Sequence, residues 1–359
     1  MNNVLFFTRT MGIGGTEKIV LQLCESLKPN LDSISVVSCG GVNETNLCEL
    51  GIKHYKIPDI EKKDIWTFFI VFKTIIGIIK KENITIVHTH HRMAAFYARL
   101  ISFFFRFIFV HTAHNTFTDK KLFTRFSLNK CKIIAVGEVV KTNLTKYYGL
   151  DANNITVIHN SIEEDKNEIV PIDEIQLARK QKYFCVGNVG RLSKQKGMVY
   201  FVNAIPNILN ENKKAKFFII GDGEDSDKLH QLVSELGLTN DVFFLGFRSD
   251  VINVMKQLDV IVLSSLWEGL PLTPIEAFSV NKTVIATDVD GTGEIVRNGV
   301  NGILIEPKDS LAIAKAVCLL IDNLNLRQEL QNNANKTYYE YFDISYFKKK
   351  YKDFYASLL

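Results

Sequence analysis

The stretch that most constrains this chain is the apolar run Asp259-Val-Ile-Val-Leu263, followed at once by Ser264-Ser-Leu-Trp-Glu268-Gly-Leu-Pro-Leu-Thr-Pro-Ile-Glu276-Ala-Phe-Ser279. A short apolar run closed by a turn reads as a strand buried on both faces, which is how strands of parallel sheets look. The chain then turns through Gly269 and enters a helix whose first turn is expected to hold Pro271 and Pro274. Proline is tolerated there because first-turn amides have no intrahelical partner. Such a turn presents free backbone N–H groups and the positive end of a helix dipole, which suit a phosphate or a sugar hydroxyl. Two carboxylates bracket it, Glu268 before the turn and Glu276 inside the helix. At this spacing they could accept hydrogen bonds from the hydroxyls of a hexose and a ribose at once, the outline of a nucleotide-sugar site.

The same strand-then-helix pattern fills the rest of the chain. Strands are expected at Val4–Thr8, Ile34–Ser38, His54–Ile57, Ile84–His88, Phe107–Thr112, Ile133–Val136 and Thr156–Ile158. A second series follows at Phe184–Val189, Phe217–Gly221, Val242–Leu245, Val260–Leu263, Val284–Ala286 and Gly302–Ile305. Strands alternating with helices predict an α/β fold with doubly wound parallel sheets, whose ligands sit beyond the carboxyl ends of the strands. The 359 residues, at ~100–200 per domain, favour two domains. The acidic stretch 163–180 reads as an irregular linker between them. Residues 335–358 read as one helix with Phe347, Tyr351, Phe354 and Leu358 on a single face.

Several expected strand ends carry residues suited to polar ligands. After the first comes Gly12-Ile-Gly14-Gly15-Thr-Glu17, a glycine turn whose backbone could approach a diphosphate; it lacks the G-x-G-x-x-G spacing of a dinucleotide site, so NAD binding is disfavoured. Two others end in His88-Thr-His90-His91 and His111-Thr-Ala-His114, side chains that could hold a hydroxyl or take a proton near neutral pH. A zinc site from His88, His90 and His91 is disfavoured, because successive strand residues face opposite ways. The loop Gly190-Arg191-Leu-Ser-Lys-Gln-Lys196-Gly197 sets a fork and a point charge five positions apart, a pairing suited to a diphosphate.

Glu268 and Glu276 with Gly-Leu-Pro between them, Gly190-Arg-Leu followed by Lys196-Gly197, Gly14-Gly15-Thr-Glu17, Gly221-Asp-Gly223 and Val157-Ile-His-Asn160-Ser161-Ile162 together resemble the retaining glycosyltransferases of family 4, also called glycosyl transferases group 1. The resemblance spans nearly the whole chain and is strongest over 184–306. It implies a GT-B fold: two Rossmann-like domains facing a cleft, an acceptor-binding one over 1–162 and a donor-binding one over 163–340, with a C-terminal helix at about 341–359 packing back on the first. It implies that Glu276 holds a ribose, that Glu268 and His114 flank the transferred hexose, and that Arg191 and Lys196 stabilise the leaving nucleotide. Gly14, Gly15 and the segment Gly269, Leu270, Pro271, Leu272 and Thr273 would contact the donor, Phe247 and Arg248 its base, and His90 and His114 the acceptor. Ser161 departs from the glycine usual in the family's linker. Asp288-Val-Asp290 falls in a loop that carries no metal in the family, so no metal or other cofactor is expected.

Charge is placed unevenly. Residues 1–160 hold 20 Lys and Arg against 12 Asp and Glu, and the remainder 23 against 27. With Phe103-Phe104-Phe105-Arg106-Phe107, the basic half suggests peripheral contact with anionic lipid and a lipid-linked saccharide acceptor. A solvated basic surface is the alternative. Nucleic acid is disfavoured, since no recognition motif accompanies the charge. Neither Trp66–Ile79, which is short, nor Met93–Val110, which holds two arginines, reads as a membrane span. No signal peptide is recognised and the six cysteines form no CxxC pair, so a cytoplasmic protein at the inner face of the membrane is expected. The expected activity is transfer of a hexose from a nucleotide sugar, a UDP-sugar, in bacterial surface polysaccharide or capsule synthesis. A nucleotide-sugar epimerase of the same fold and a non-catalytic sugar-nucleotide-binding partner are the competing readings.

Overall fold

The computed structural model describes residues 2–62 and 64–358. It divides into two compact units, one of Met1–Asn160 with Ser345–Leu359, the other of Ser161–Ile344. The first holds β1 Asn3–Phe7, β2 Ser33–Ser38, β3 Lys53–Lys56, β4 Ile86–Thr89, β5 Ile108–Ala113, β6 Lys132–Ala135 and β7 Ile155–Val157. These pair in parallel in the order β3-β2-β1-β4-β5-β6-β7. In the second, β8 Phe184–Val189, β9 Ala215–Ile220, β10 Val242–Gly246, β11 Val260–Leu263, β12 Val284–Thr287 and β13 Gly302–Ile305 form an all-parallel sheet ordered β10-β9-β8-β11-β12-β13. Each expected strand is present, its ends shifted by a residue or two. Both units are doubly wound α/β layers of the Rossmann-like kind.

The strand order dictates where ligands can enter. In each sheet the winding reverses beside the first strand, between β1 and β4 and between β8 and β11, so the loops leaving those strands diverge and open a crevice. The central strands are buried on both faces: Val4 to Phe7, Val260 to Val262 and Val284 to Ala286 are fully enclosed. That burial explains why their sequences are continuous apolar runs rather than alternating ones.

Three expectations about helices need correction. The acidic segment at 163–180 is not wholly irregular, because Asp173–Lys180 is a helix. Ile172, Ile175 and Ala178 recur every third residue on its buried side, and Gln257 accepts from the Ile172 N–H and from Gln176 Nε2, each at 3.1 Å. The tail is two helices, Leu324–Tyr341 and Ile344–Ser357, rather than one. The chain breaks at Phe342 because the Phe342 carbonyl accepts from the Ile162 N–H and Tyr338 Oη donates to the Ile162 carbonyl at 2.9 Å. In the last helix Phe347, Tyr351, Phe354 and Tyr355 are buried; Leu358 lies outside the helix and is only partly covered. Pro271 is the N-cap of helix Leu272–Ser279, not a residue of its first turn; Pro274 does lie in that turn.

No helix among the described residues is long and apolar enough to cross a membrane. The stretch at 93–110 divides into helix Arg92–Ile101 and the start of β5. The stretch at 66–79 lies within helix Ile65–Lys81, capped by Asp64, whose carboxylate accepts from the Thr67 N–H at 2.8 Å.

Candidate functional site

In the second unit the loops after β8 and β11 are laced together at the point where the winding reverses. Asn188 Nδ2 donates to Ser264 Oγ at 3.0 Å, and Ser264 Oγ donates onward to the Lys196 carbonyl, also at 3.0 Å. The Leu266 N–H reaches the Gln195 carbonyl, and Gln195 Nε2 the Trp267 carbonyl. These bonds fix the backbone on either side of Lys196 and Glu268. Their side chains then meet: Lys196 Nζ lies 2.6 Å from Glu268 Oε1, with Glu268 7% and Lys196 19% exposed. Ser265 Oγ donates to the same oxygen at 2.7 Å. The other oxygen, Oε2, has no hydrogen-bond partner among the described residues and is not buried. One half of the carboxylate is therefore held by the protein, and the other is open to a ligand.

The turn that carries Glu268 is supported from behind by a residue the sequence did not single out for this. The Glu268 N–H donates to Asp290 Oδ2 at 2.8 Å. Asp290 itself stands at φ 41°, in the left-handed region where a non-glycine residue is strained. A Cβ on the next residue, Gly291, would lie 1.9 Å from the Gly269 carbonyl oxygen, so the loop after β12 presses directly on the turn. Asp290 thus positions Glu268. Among the described residues no group of three or more His, Cys, Asp and Glu is arranged to hold a metal ion.

Of the remaining residues picked out in this unit, Arg191 is exposed and makes no hydrogen bond or ion pair among the described residues. Glu276 lies half-buried inside helix Leu272–Ser279, one turn beyond Thr273. The loop at 221–223 abuts that of Arg191: a Cβ on Gly221, which has φ +140°, would meet the Gly190 carbonyl oxygen at 1.9 Å. Phe247 is exposed. Arg248 is less available than expected, because both arms of its fork engage Asp250 at 2.7 and 2.8 Å.

In the first unit Gly14 caps helix Gly15–Leu27, and both glycines are exposed. Beyond β4 and β5 lies a stack of histidines. His88 and His90 stack at 4.4 Å between ring centres, and His90 and His114 at 5.3 Å, each pair inclined by 28°, with His90 Nδ1 3.0 Å from His114 Nε2. His90, at 4% exposure, is screened from direct contact with an acceptor, whereas His114 is only half-buried. His88 is enclosed, bonded at 2.7 Å to Tyr355 Oη on one side and Thr112 Oγ1 on the other. His111 Nδ1 meets Thr89 Oγ1 at 2.8 Å. Burial disfavours the charged form of all four rings: the His88 and His90 pKa values fall well below the usual histidine range, His111 is lowered to about 3 and His114 to about 4. The stack is neutral at pH 7.

Residues 13–166 match the family described as Glycosyltransferase Family 4, and residues 171–337 the family described as Glycosyl transferases group 1. An uncharacterised glycosyltransferase of Methanocaldococcus jannaschii is 27% identical over 91% of this chain and 90% of its own. The UDP-Gal:alpha-D-GlcNAc-diphosphoundecaprenol alpha-1,3-galactosyltransferase of Escherichia coli is 27% identical over 97% of this chain and 95% of its own. Among solved structures, HepE of Anabaena in complex with UDP-glucose superposes with a TM-score of 0.86 at 23% identity, over 99% of this chain and all of that one.

Two consequences follow from the electrostatics. Replacing Lys196 by Met strands a nearly buried carboxylate; unfolding in urea should show a loss of about 3 kcal/mol, the lower end for a broken buried pair since the lysine is partly wet. Much of that loss should return in the Lys196→Met/Glu268→Gln double variant. For the histidines, the unfolded chain takes up protons below about pH 6.5 while the folded stack does not. Stability should therefore fall as pH drops from about 6.5 to 5, by about 1.4 kcal/mol per pH unit for each histidine that stays neutral. A urea midpoint unchanged between pH 7 and 5 would contradict this.

Proposed function

Because the chain belongs to the GT-B glycosyltransferases, its first half matching the family 4 model and its second the group 1 model, we propose that it moves a hexose from a UDP-sugar to a saccharide acceptor with retention of anomeric configuration. One observation carries the reading. A carboxylate fixed through one oxygen by Lys196 and Ser265 offers its other oxygen at the reversal point of a parallel sheet, and the loop that supplies Lys196 also carries Arg191, which has no partner among the described residues.

Each residue then has a chemical task. Glu268 Oε2 accepts from a hexose hydroxyl, and Glu276 accepts from the ribose diol. The backbone N–H groups of Gly269, Leu270, Leu272 and Thr273, at the start of helix Leu272–Ser279, donate to the sugar and diphosphate oxygens. Lys196 gives one N–H to Glu268 and keeps two; with Arg191 it offsets charge growing on the departing diphosphate. Preorganised cations of this kind stabilise the transition state without reorganising, and in this reading they serve in place of a metal ion. No carboxylate is assigned as a covalent nucleophile. The acceptor hydroxyl attacks on the face the diphosphate leaves, and the leaving phosphate oxygen takes its proton.

The UDP-glucose complex of the Anabaena protein and the UDP-Gal donor in the name of the Escherichia coli relative support a uridine donor. The diphosphoundecaprenol in that name supports a lipid-linked acceptor at the inner face of a bacterial membrane. One surface of the first unit fits that setting. Helix Ile65–Lys81 exposes Trp66, Phe69 and Ile70 on the stripe that continues to Lys73 and Lys80. Nearby, Phe103 and Phe104 are also exposed, and Lys80 Nζ lies 5.5 Å from the centre of the Phe105 ring. Aromatic side chains followed by lysines suit the interface of an anionic bilayer.

A thermal-shift screen of UDP-, GDP- and ADP-sugars should single out a UDP-sugar, since a ligand at 100 times its Kd adds about 2.7 kcal/mol. With that donor and a lipid-extracted acceptor, products should be nucleotide and glycoside; an isomerised donor would indicate an epimerase instead. Glu268→Gln should lower kcat/KM roughly 10- to 100-fold, the worth of one charged hydrogen bond, and near-normal turnover would refute the assignment. In flotation assays the protein should bind vesicles containing phosphatidylglycerol and release them as salt screens the lysines. The Trp66→Ser/Phe69→Ser variant should fail to bind while keeping its melting temperature; unchanged binding would remove the membrane surface.

A further inference from the structure

His90 has no evident way to touch a ligand, yet its Nδ1 lies 3.0 Å from Nε2 of His114. Its other nitrogen, Nε2, is buried without a hydrogen-bond partner. His114 is the reverse: beyond the bond to His90, its Nδ1 has no partner among the described residues and is not buried. Neutral imidazole carries one N–H and one lone pair, so a bond between two such rings can be made in only two ways.

In the first, His114 donates from Nε2 and His90 accepts at Nδ1. The proton of His90 then sits on its Nε2, a buried N–H with nothing to receive it. In the second, His90 donates from Nδ1, its Nε2 is a bare lone pair, and His114 carries its proton on Nδ1. Orphaned buried donors are the rarer defect in folded proteins, and leaving one unmade is costly. Turning the ring of His90 over would give up the contact of Nδ1 with His114, and His88 stacks on it at 4.4 Å with Phe6 5.8 Å away. His88 is itself fastened at both nitrogens by Tyr355 and Thr112.

We propose that His90 is a positioning residue that locks His114 in its Nδ1–H tautomer, so that His114 meets the substrate as a hydrogen-bond donor to a hydroxyl or phosphate oxygen. The substrate half of this rests on the glycosyltransferase reading above; the tautomer half does not. A donor at this position can steady an oxygen that gains negative charge, whereas the opposite tautomer would offer a lone pair and could serve only as a hydrogen-bond acceptor or a base. The stack beneath it, running from Tyr355 through His88 and His90, makes that choice a property of the fold.

The test is long-range nitrogen–proton NMR of the histidine rings in the full-length protein at pH 7, assigned with His114→Gln, alongside steady-state kinetics. In the wild type the ring of His114 should be protonated at Nδ1 and bare at Nε2. His90→Leu should release it toward the Nε2–H form that free imidazole side chains favour, and kcat should fall at least tenfold with little change in the KM for donor. His90→Asn, whose amide can donate from near the position of Nδ1, should restore both tautomer and kcat; His90→Gln, which reaches toward Nε2, should not. Finding Nε2–H on His114 in the wild type, or an unchanged tautomer in His90→Leu, overturns the proposal. Should the leucine variant not fold, the wild-type and asparagine spectra decide. The expected tautomer with no transfer from any donor would instead overturn the substrate half and leave the dyad standing.

Discussion

A carboxylate that is only 7% exposed cannot remain ionised without partners, and the second unit is built around supplying them to Glu268. Lys196 comes from the loop after β8 and Ser265 from the same turn, while Asp290, from the loop after β12, takes the backbone N–H of Glu268. Three loops that are distant in sequence must therefore arrive together. Their meeting point is set by sheet order, because β8 and β11 are neighbours and the winding reverses between them. The close approach of Gly291 to the Gly269 carbonyl and of Gly221 to that of Gly190 shows how little slack is left: each of these glycines is required by backbone already in the space a Cβ would occupy.

The first unit solves a related problem by the opposite means. Its strand ends also carry titratable side chains at a reversal point, but these are histidines that burial keeps neutral. Neutral rings can be packed face to face without a counter-charge, and hydroxyl groups such as those of Tyr355 and Thr112 satisfy them in whichever role the tautomer demands. One unit thus presents fixed charges and the other a fixed pattern of donors and lone pairs. Tyr355 lies in the last helix, so closing the histidine stack depends on residues at the far end of the chain.

Much of this was legible in the sequence, and the reasons are physical. The strands were found because both faces of each central strand are buried, leaving unbroken apolar runs that no surface segment would show. Glu268, Arg191 and Lys196 stand out because polar residues on turns that follow such runs lie at the carboxyl end of a sheet, whereas His114 is singled out among the histidines by the family resemblance. What stayed hidden depends on contacts distant in sequence. The helix Asp173–Lys180 was masked by its acidic surroundings, its short apolar stripe being stabilised by Gln257 some eighty residues away. The break at Phe342 comes from bonds to Ile162. Asp290 looked like half of an Asp-x-Asp pair, and nothing local said that its carboxylate would reach the N–H of Glu268.

The ion pair also bears on how charge is distributed when a substrate arrives. On the proposed reading, an isolated Lys196 would be a full positive charge facing a diphosphate, and an isolated Glu268 would repel the same group. Held 2.6 Å apart they form a dipole instead, with its negative end shared between Ser265 and an open oxygen. Such a pair can accept a hydroxyl at one end and donate to a phosphate at the other without either charge being exposed alone to the dry interior, where an unpaired ion is most costly. Arg191, exposed and without a hydrogen bond or ion pair among the described residues, then leaves a net positive charge on the loop that also carries Lys196. On the proposed reading each cation has a separate part: the lysine orients and partly balances the carboxylate, and the arginine is left to attract the anion.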